Sequence, residues 1–437
     1  MIIQPRILKG FRDSLPKQEL VKRNLIHILE MNFRSFGFEP IDTPVLEYTE
    51  VLLGKGSGET DKQIYRFTDN GNRDISMRFD LTVPFARFMA AHHNELYEPF
   101  RRYHIAKVWR GENTQKGRYR EFFQCDFDIV GVDTVSADFE ILLMMYQSLK
   151  QIGIDKFTIK VAHRGIFNDF LEKLGVSDDS EEILRIVDKI SKIGREEVIN
   201  GLSERIGPER AEHVVSFIEP GENDEQTLEK ATRLSGGESE HTQRLREIFT
   251  MVGDLGLSAY FSYDPSITRG LDYYTGIVYE TILEGNQSIG SVCSGGRYNE
   301  LASLYTKKSL PGVGSSIGLD RLLAALEDSD TIVGESSLTD ILIFHLDETY
   351  LSHYHSVAQK LRSLGFSVEV YPEKKKLQQQ FKFAEKKNIE FGLFIGSEEK
   401  AEGKLTMKNL TTRSEFPSIT LEEASTIITD QRRSHID

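Results

Sequence analysis

The stretch RRYHIAKVWRGENTQKGRYREFFQCDFDIVG (residues 101–131) reads as two β-strands, RRYHIAKVWRGE and REFFQCDFDIVG, joined by a polar, basic loop, NTQKGRY. Alternate residues of a strand share a face. In the second strand Phe123, Cys125, Phe127 and Ile129 make an ordinary core face. Phe122, Gln124, Asp126 and Asp128 make the opposite one, which is too polar to bury without partners and is expected to line a cleft.

Ahead of this hairpin, residues 13–37 predict an amphipathic helix. Ser14 can cap it, Pro16 suits its first turn, Leu20, Leu25, Ile28, Leu29, Phe33 and Phe36 recur at helical spacing, and Gly37 stops it. Pro40 and Pro44 make FEPIDTPVLEY extended. A Gly-rich loop (54–63) leads to short alternating segments, IYRFTD and DISMRFDLT, and a helix is expected from about Val83 to His93.

Behind the hairpin, residues 165–256 are read as a helical insertion, with Ile183, Leu184, Ile186, Val187, Ile190 and Ile193 marking one helix. Strand texture returns from Ala259 to Ser294, followed by CSGGRYNEL. In PGVGSSIGLDRLLAAL the glycines are expected to lead into a helix beginning near Ile317. After a linker (327–337), residues 338–437 predict a small α/β domain of βαβ logic, with strands DILIFHL, FSVEVY, FGLFIG and KLTMKNL and a lysine-rich helix. The expected domains are therefore 1–164 and 257–327, two parts of one core, with 165–256 inserted and 338–437 following.

A chain of 437 residues is too long for one ordinary core. No run of about 18 apolar residues predicts a membrane span, and the first residues, MIIQPRILKGFRD, lack the apolar segment of a secretory signal. Only Cys125 and Cys293 are present, too few for a disulfide framework or a cysteine zinc site, which suits a reducing, cytoplasmic setting. Net charge is −14, yet residues 101–120 carry seven Arg or Lys against Glu112 alone, and residues 373–387 carry six lysines against two acids. A lysine run is ordinarily a solvated face. Two on an acidic chain can also be local patches for a polyanion.

RGLDYYTG (269–276) places a cation, a carboxylate and two phenols within six residues. It joins Asp80 and Thr82 of RFDLT, Arg110 and Glu112 of VWRGE, Gln124 and Asp128 of QCDFD, and Arg321 of GLDR. Singly each has a structural role open to it: Arg110 and Glu112 an ion pair, Asp80 a turn before a helix, Gly295 and Gly296 a tight turn.

Together the motifs resemble a known family. The hairpin resembles motif 2 of class II aminoacyl-tRNA synthetases, GVGSSIGLDRLLAAL their motif 3, and GFEPIDTPVLE their motif 1. RGLDYYTGIVYE and CSGGRYNEL resemble the two signatures of the histidyl-tRNA synthetase family, and the likeness extends through KLQQQFKFAEKKNI. It implies an α+β catalytic core, an antiparallel sheet flanked by helices, with a helical insertion and a C-terminal anticodon-binding domain. The implied reaction joins histidine to ATP as histidyl-adenylate, then passes the histidyl group to the 3′ end of tRNA(His). The partners implied are L-histidine, ATP with Mg²⁺, tRNA and a second copy of the chain in a homodimer, with no metal site made by protein side chains alone and no membrane.

Residue by residue, the resemblance implies that histidine is held by Asp80, Leu81, Thr82, Arg110, Gln124, Asp128, Arg269, Tyr273 and Tyr274. Arg110 and Arg269 would stabilise charge building at the α-phosphate. Glu112, Arg118, Phe122 and Arg321 join Arg110 in the ATP site, with Phe122 and Arg321 sandwiching the purine. Gln115 and Arg120 would read the acceptor end, and Lys374, Lys375 and Lys376 would lie near the anticodon. Imidazole needs an acceptor and a donor, which Asp128 and a tyrosine hydroxyl can supply. Adjacent residues of a regular strand face opposite ways, so either the backbone at Tyr273 and Tyr274 is irregular or one of them is supporting. The alternative within the same fold is a histidine-sensing regulatory relative, a class that lacks the C-terminal domain.

Overall fold

The computed structural model describes residues 2–54, 62–267, 273–328 and 337–433. They form two compact units: one takes in most of the described chain up to residue 328, the other the residues from 337 on together with Leu15–Val21. Among the described residues no helix is long and apolar enough to cross a membrane.

The strands of the larger unit are, in chain order, β1 (Glu39–Pro40), β2 (Leu46–Tyr48), β3 (Arg66–Thr68), β4 (Asp74–Met77), β5 (Phe100–Trp109), β6 (Glu121–Val130), β7 (Phe157–His163), β8 (Phe261–Tyr263), β9 (Ile277–Leu283), β10 (Cys293–Arg297) and β11 (Gly312–Gly318). β2, β4 and β3 make a small sheet, and the others make an eight-stranded one in the order β1-β5-β6-β11-β10-β9-β7-β8. Its interior is antiparallel from β5 to β7, and β1 and β8 add parallel pairs at the two edges. The expected α+β core is what forms.

The hairpin of residues 101–131 becomes β5 and β6. Its register sets Arg102 opposite Asp128, His104 opposite Asp126, Ala106 opposite Gln124 and Val108 opposite Phe122. The dry face packs under the helix Pro16–Ser35, whose Leu25, Leu29 and Phe33 recur every four residues and are fully buried. The Phe33 ring lies 4.9 Å from Phe127 and 5.6 Å from Tyr103. With helices on that side, the polar face is left for the site.

Several expectations change. The glycines of GVGSSIG do not lead into a helix but are strand β11 at the centre of the sheet, and the helix starts at Leu319. Glycine is needed there because neighbours come close: a Cβ on Gly314 would lie 1.9 Å from Oδ1 of Asp128. Gly295 and Gly296 likewise lie in strand β10, not in a turn. Residues 165–256 are helical as expected, from Arg164–Leu174 through Glu240–Asp254. They are nevertheless part of the core, sharing one hydrophobic cluster with the main sheet. They join β7 to its parallel neighbour β8, and parallel strands require such a crossover.

The smaller unit has β12 (Ile341–Ile343), β13 (Val368–Val370), β14 (Phe391–Phe394), β15 (Leu405–Asn409) and β16 (Glu415–Ile419), in the order β13-β12-β14-β15-β16. β13 and β14 flank β12 in parallel, as βαβ logic expects, and β15 and β16 continue antiparallel. Lys374, Lys375 and Lys376 do not lie on the lysine-rich helix; they are exposed and precede its first residue, Leu377.

Candidate active site

A cavity of about 450 Å³ opens on the polar face of the hairpin, a volume within the usual range for small-molecule sites. Its wall includes Asp80, Thr82, Arg110, Gln124, Tyr273 and Tyr274. A smaller lobe of about 120 Å³ shares Arg110, Glu112, Gln124 and Arg321 with it and adds Arg118, Tyr119, Phe122 and Asp320.

Asp80 precedes the helix Thr82–His92 and its Oδ1 accepts from the Val83 N–H at 3.1 Å. The turn role is therefore real, but it uses one oxygen only. Oδ2 is buried without a hydrogen-bond partner. Burial drives the Asp80 pKa up to about 6, against the pull of the Val83 N–H and the Arg110 charge. Gln124 shows the same half-use: Nε2 donates to Ser316 Oγ at 2.9 Å, while Oε1 is buried and unpartnered. Two wall residues thus hold acceptors that have no donor among the described residues, each costing roughly 1–3 kcal/mol unless a donor arrives.

Tyr273 and Tyr274 both line the cavity, with rings 4.9 Å apart and nearly edge to face. They lie ahead of β9 in irregular backbone, which resolves the strand problem. Gly296 permits this, since a Cβ there would lie 2.9 Å from Cδ1 of Tyr274. Burial raises both phenols well above their usual pKa. Tyr279 completes this wall, its hydroxyl donating to the Gly314 carbonyl at 2.7 Å.

Arg110 is braced by its Nε, which donates to the Phe79 carbonyl at 2.8 Å, and its guanidinium lies 5.2 Å from the Phe122 ring centroid. Its Nη1 is 3.8 Å from Glu112 Oε1, so the pair is loose. Arg321 donates to the Ser291 carbonyl at 2.7 Å and walls both lobes.

Three expected residues sit differently. Asp128 is not in the wall. It is buried behind it, accepting from the Tyr298 hydroxyl on Oδ1, with Oδ2 2.7 Å from the fully buried Arg102. Leu81 is fully buried in the core. Arg120 is turned inward, donating through Nε to the Glu112 carbonyl at 3.1 Å, while Gln115 stays exposed on the loop. Arg269 lies outside the described residues, as do the other residues of 268–272. Arg102, Asp126, Tyr279 and Tyr298 were not singled out as site residues. Arg102 and Asp126 share the polar face of the hairpin, so its alternation carried the signal. Asp126, beside Asp128 in that buried floor, is pushed by burial up to about 7.

A family model described as histidyl-tRNA synthetase matches residues 10–322, and one described as anticodon binding domain matches residues 340–431. The chain is 50% identical to a histidine--tRNA ligase of Treponema denticola, covering 95% of this chain and 96% of that one. It is 47% identical to the histidine--tRNA ligase of Rhodopirellula baltica over 94% and 95% of the two chains. A solved histidyl-tRNA synthetase from Nostoc sp. PCC 7120 superposes with a TM-score of 0.87 at 31% identity, covering 98% of this chain and 100% of that one.

Proposed function

The chain belongs to the histidyl-tRNA synthetase family, and from that premise we propose how its cavity performs the family's reaction. The protein is a histidine--tRNA ligase: it activates L-histidine with ATP and transfers the histidyl group to tRNA. The observation that carries the residue assignment is the pair of unfilled acceptors, Asp80 Oδ2 and Gln124 Oε1, in one cavity wall. An α-ammonium brings three donors and a positive charge. Asp80 takes the ammonium with Thr82, and Gln124 takes a second donor of the amino acid.

Tyr273 and Tyr274, kept as phenols by burial, present a hydroxyl to the imidazole. Asp128 supports this ring of phenols from behind through Tyr298, its charge balanced by Arg102. A pocket that hydrogen-bonds its substrate rejects analogues lacking those groups by roughly 10⁴–10⁵.

The smaller lobe takes the adenosine of ATP, with Phe122 and Arg321 on the purine, Glu112 at its amino group and Arg118 toward the phosphates. ATP arrives with its Mg²⁺ as substrate. Arg110 walls both lobes and faces the junction where carboxylate meets α-phosphate. As the carboxylate oxygen attacks phosphorus and pyrophosphate leaves, negative charge grows on the phosphoryl oxygens and a fixed guanidinium stabilises it. Arg269 is assigned to the same task by its place in the signature.

On tRNA, the exposed Gln115 is assigned to the acceptor end, and Lys374, Lys375 and Lys376 to phosphates near the anticodon. A lysine run just ahead of a helix N-terminus opposes the helix dipole, which favours a bound anion there. The homodimer is supported by Leu46, Tyr48 and Phe67, which the register of the small sheet puts on one exposed face. Two buried free cysteines and these substrates suit a cytoplasmic enzyme.

The regulatory alternative is disfavoured by the anticodon-binding match over residues 340–431. ATP–pyrophosphate exchange with each standard amino acid, without tRNA, tests the assignment. Exchange confined to histidine is expected. Histidine binding without any exchange would return the chain to the regulatory reading.

A further inference from the structure

The segment Lys9–Arg12 crosses the outside of the hairpin loop. The Gly10 carbonyl accepts from the Arg120 N–H at 2.8 Å, and Gly10 is packed so closely that a Cβ would lie 2.7 Å from Cγ of Arg120. The Arg12 guanidinium lies 4.0 Å over the Tyr119 ring and pairs with Asp320 Oδ1. The other oxygen of Asp320 accepts from the Phe123 N–H at 2.8 Å.

This puts one carboxylate at a junction. Asp320 is followed by Arg321 at the start of the helix Leu319–Asp328, and its Oδ2 holds the backbone just past Phe122 at the start of β6. Phe122 and Arg321 both wall the smaller lobe, as do Tyr119 and Asp320. Arg12 does not wall that lobe.

We infer that Arg12 is a positioning residue for the nucleotide, locking Tyr119 and Asp320 so that Phe122 and Arg321 stand at a fixed separation. The inference rests on the reading of the smaller lobe as the adenosine site. Arg12 is 40% exposed, so replacing it leaves no buried void. Arg12 neutralises Asp320 and stacks on Tyr119 at once, which a planar guanidinium does and an amide does not.

The test is ATP–pyrophosphate exchange with the full chain as Arg12→Gln, Arg12→Lys and Phe122→Ala. For Arg12→Gln the ATP KM is expected to rise about tenfold with histidine KM within about twofold, a split that removal of a nucleotide-side interaction produces. Arg12→Lys, keeping the charge on Asp320, should recover part of that rise, and the melting temperature of both should stay near that of the parent. An unchanged ATP KM in Arg12→Gln, with Phe122→Ala raising it, overturns the positioning role and leaves the adenosine reading standing. An ATP KM moved by neither Arg12→Gln nor Phe122→Ala overturns both. A parallel rise of both KM values with a fall in melting temperature also overturns the inference, because it marks Arg12 as a general fold contact.

Discussion

A Cβ placed on Gly314 would lie 1.9 Å from Oδ1 of Asp128, its partner across the β6–β11 register. The same oxygen accepts from Tyr298, and Tyr298 in turn crowds Gly312, where a Cβ would lie 2.4 Å from its Cε2. The floor of the larger cavity is therefore built by removing side chains from β11 so that an acid and a phenol can occupy their space.

Gly314→Ala should cost about 1–3 kcal/mol of stability, the range for overfilling a packed interior. Asp128 must move, and with it the ring of phenols, so histidine KM should rise more than ATP KM. Denaturant unfolding and exchange kinetics on one preparation check both. Unchanged values for both would mean that Asp128 has room to spare.

Asp80→Asn should abolish histidine activation and yet stabilise the free protein. The folded pKa of about 6 lies above the ordinary 3.8, so the folded state favours the protonated form. The stability contributed by Asp80 is fully present below about pH 3.8 and is lost as pH rises through 6. At pH 7 the ionised group therefore costs the fold on the order of 1–3 kcal/mol, and Asn, which can still accept from the Val83 N–H, removes that cost. The advantage of the variant should grow between pH 4 and pH 7. An advantage over the parent that is the same at pH 4 and pH 7 would show that the carboxylate is not desolvated.

Arg297 and Arg244 share the fully buried Asp138, the first at 2.6 Å from Oδ1 and the second at 2.6 Å from Oδ2. Arg297 also donates to the Val132 carbonyl and to Asn299. Arg297→Met should cost about 3–5 kcal/mol, the loss expected when a buried charge partner is removed. Arg244→Met should cost less, because Arg244 is partly exposed and Asp138 keeps its better-buried partner. Thermal unfolding of the two variants ranks them, and the reverse order would reject this account.

Replacing Lys374, Lys375 and Lys376 together by alanine should leave histidyl-adenylate formation unchanged and weaken tRNA charging. The salt dependence of tRNA binding should also become shallower, because each lost phosphate contact releases fewer counterions. Adenylate formation that fell in step with charging would instead make the cluster a support of the fold.

Much of the site was legible because its chemistry is carried by side chains that a core does not use. Asp80, Gln124 and Arg110 are polar groups in strand or helix-start positions, and each reached the cavity wall. Asp128 was expected on the face that lines the cleft, but alternation gives a face and not a depth, so its engagement by Tyr298 and Arg102 behind the wall was not visible. Alternation puts Arg102 on the polar face, but its pairing comes only from register, because its partner, Asp128, is 26 positions along the chain. Strand β11 was misread for a physical reason: glycine usually marks flexible backbone, and only the crowding by Asp128 and Tyr298 shows why an extended central strand needs it. Arg120 was expected by resemblance to read the acceptor end of the tRNA, whereas its guanidinium turns toward the Glu112 carbonyl.

The crossover from β7 to β8 also limits how small such a chain can become. A segment hung between antiparallel neighbours can be cut back to a two-residue turn, but β7 and β8 run the same way, so the path between them must return along their full length. A shortened protein would have to keep at least roughly a dozen residues there. It would also need new apolar cover for Ile166, Phe167 and Phe170, which now pack in the shared core.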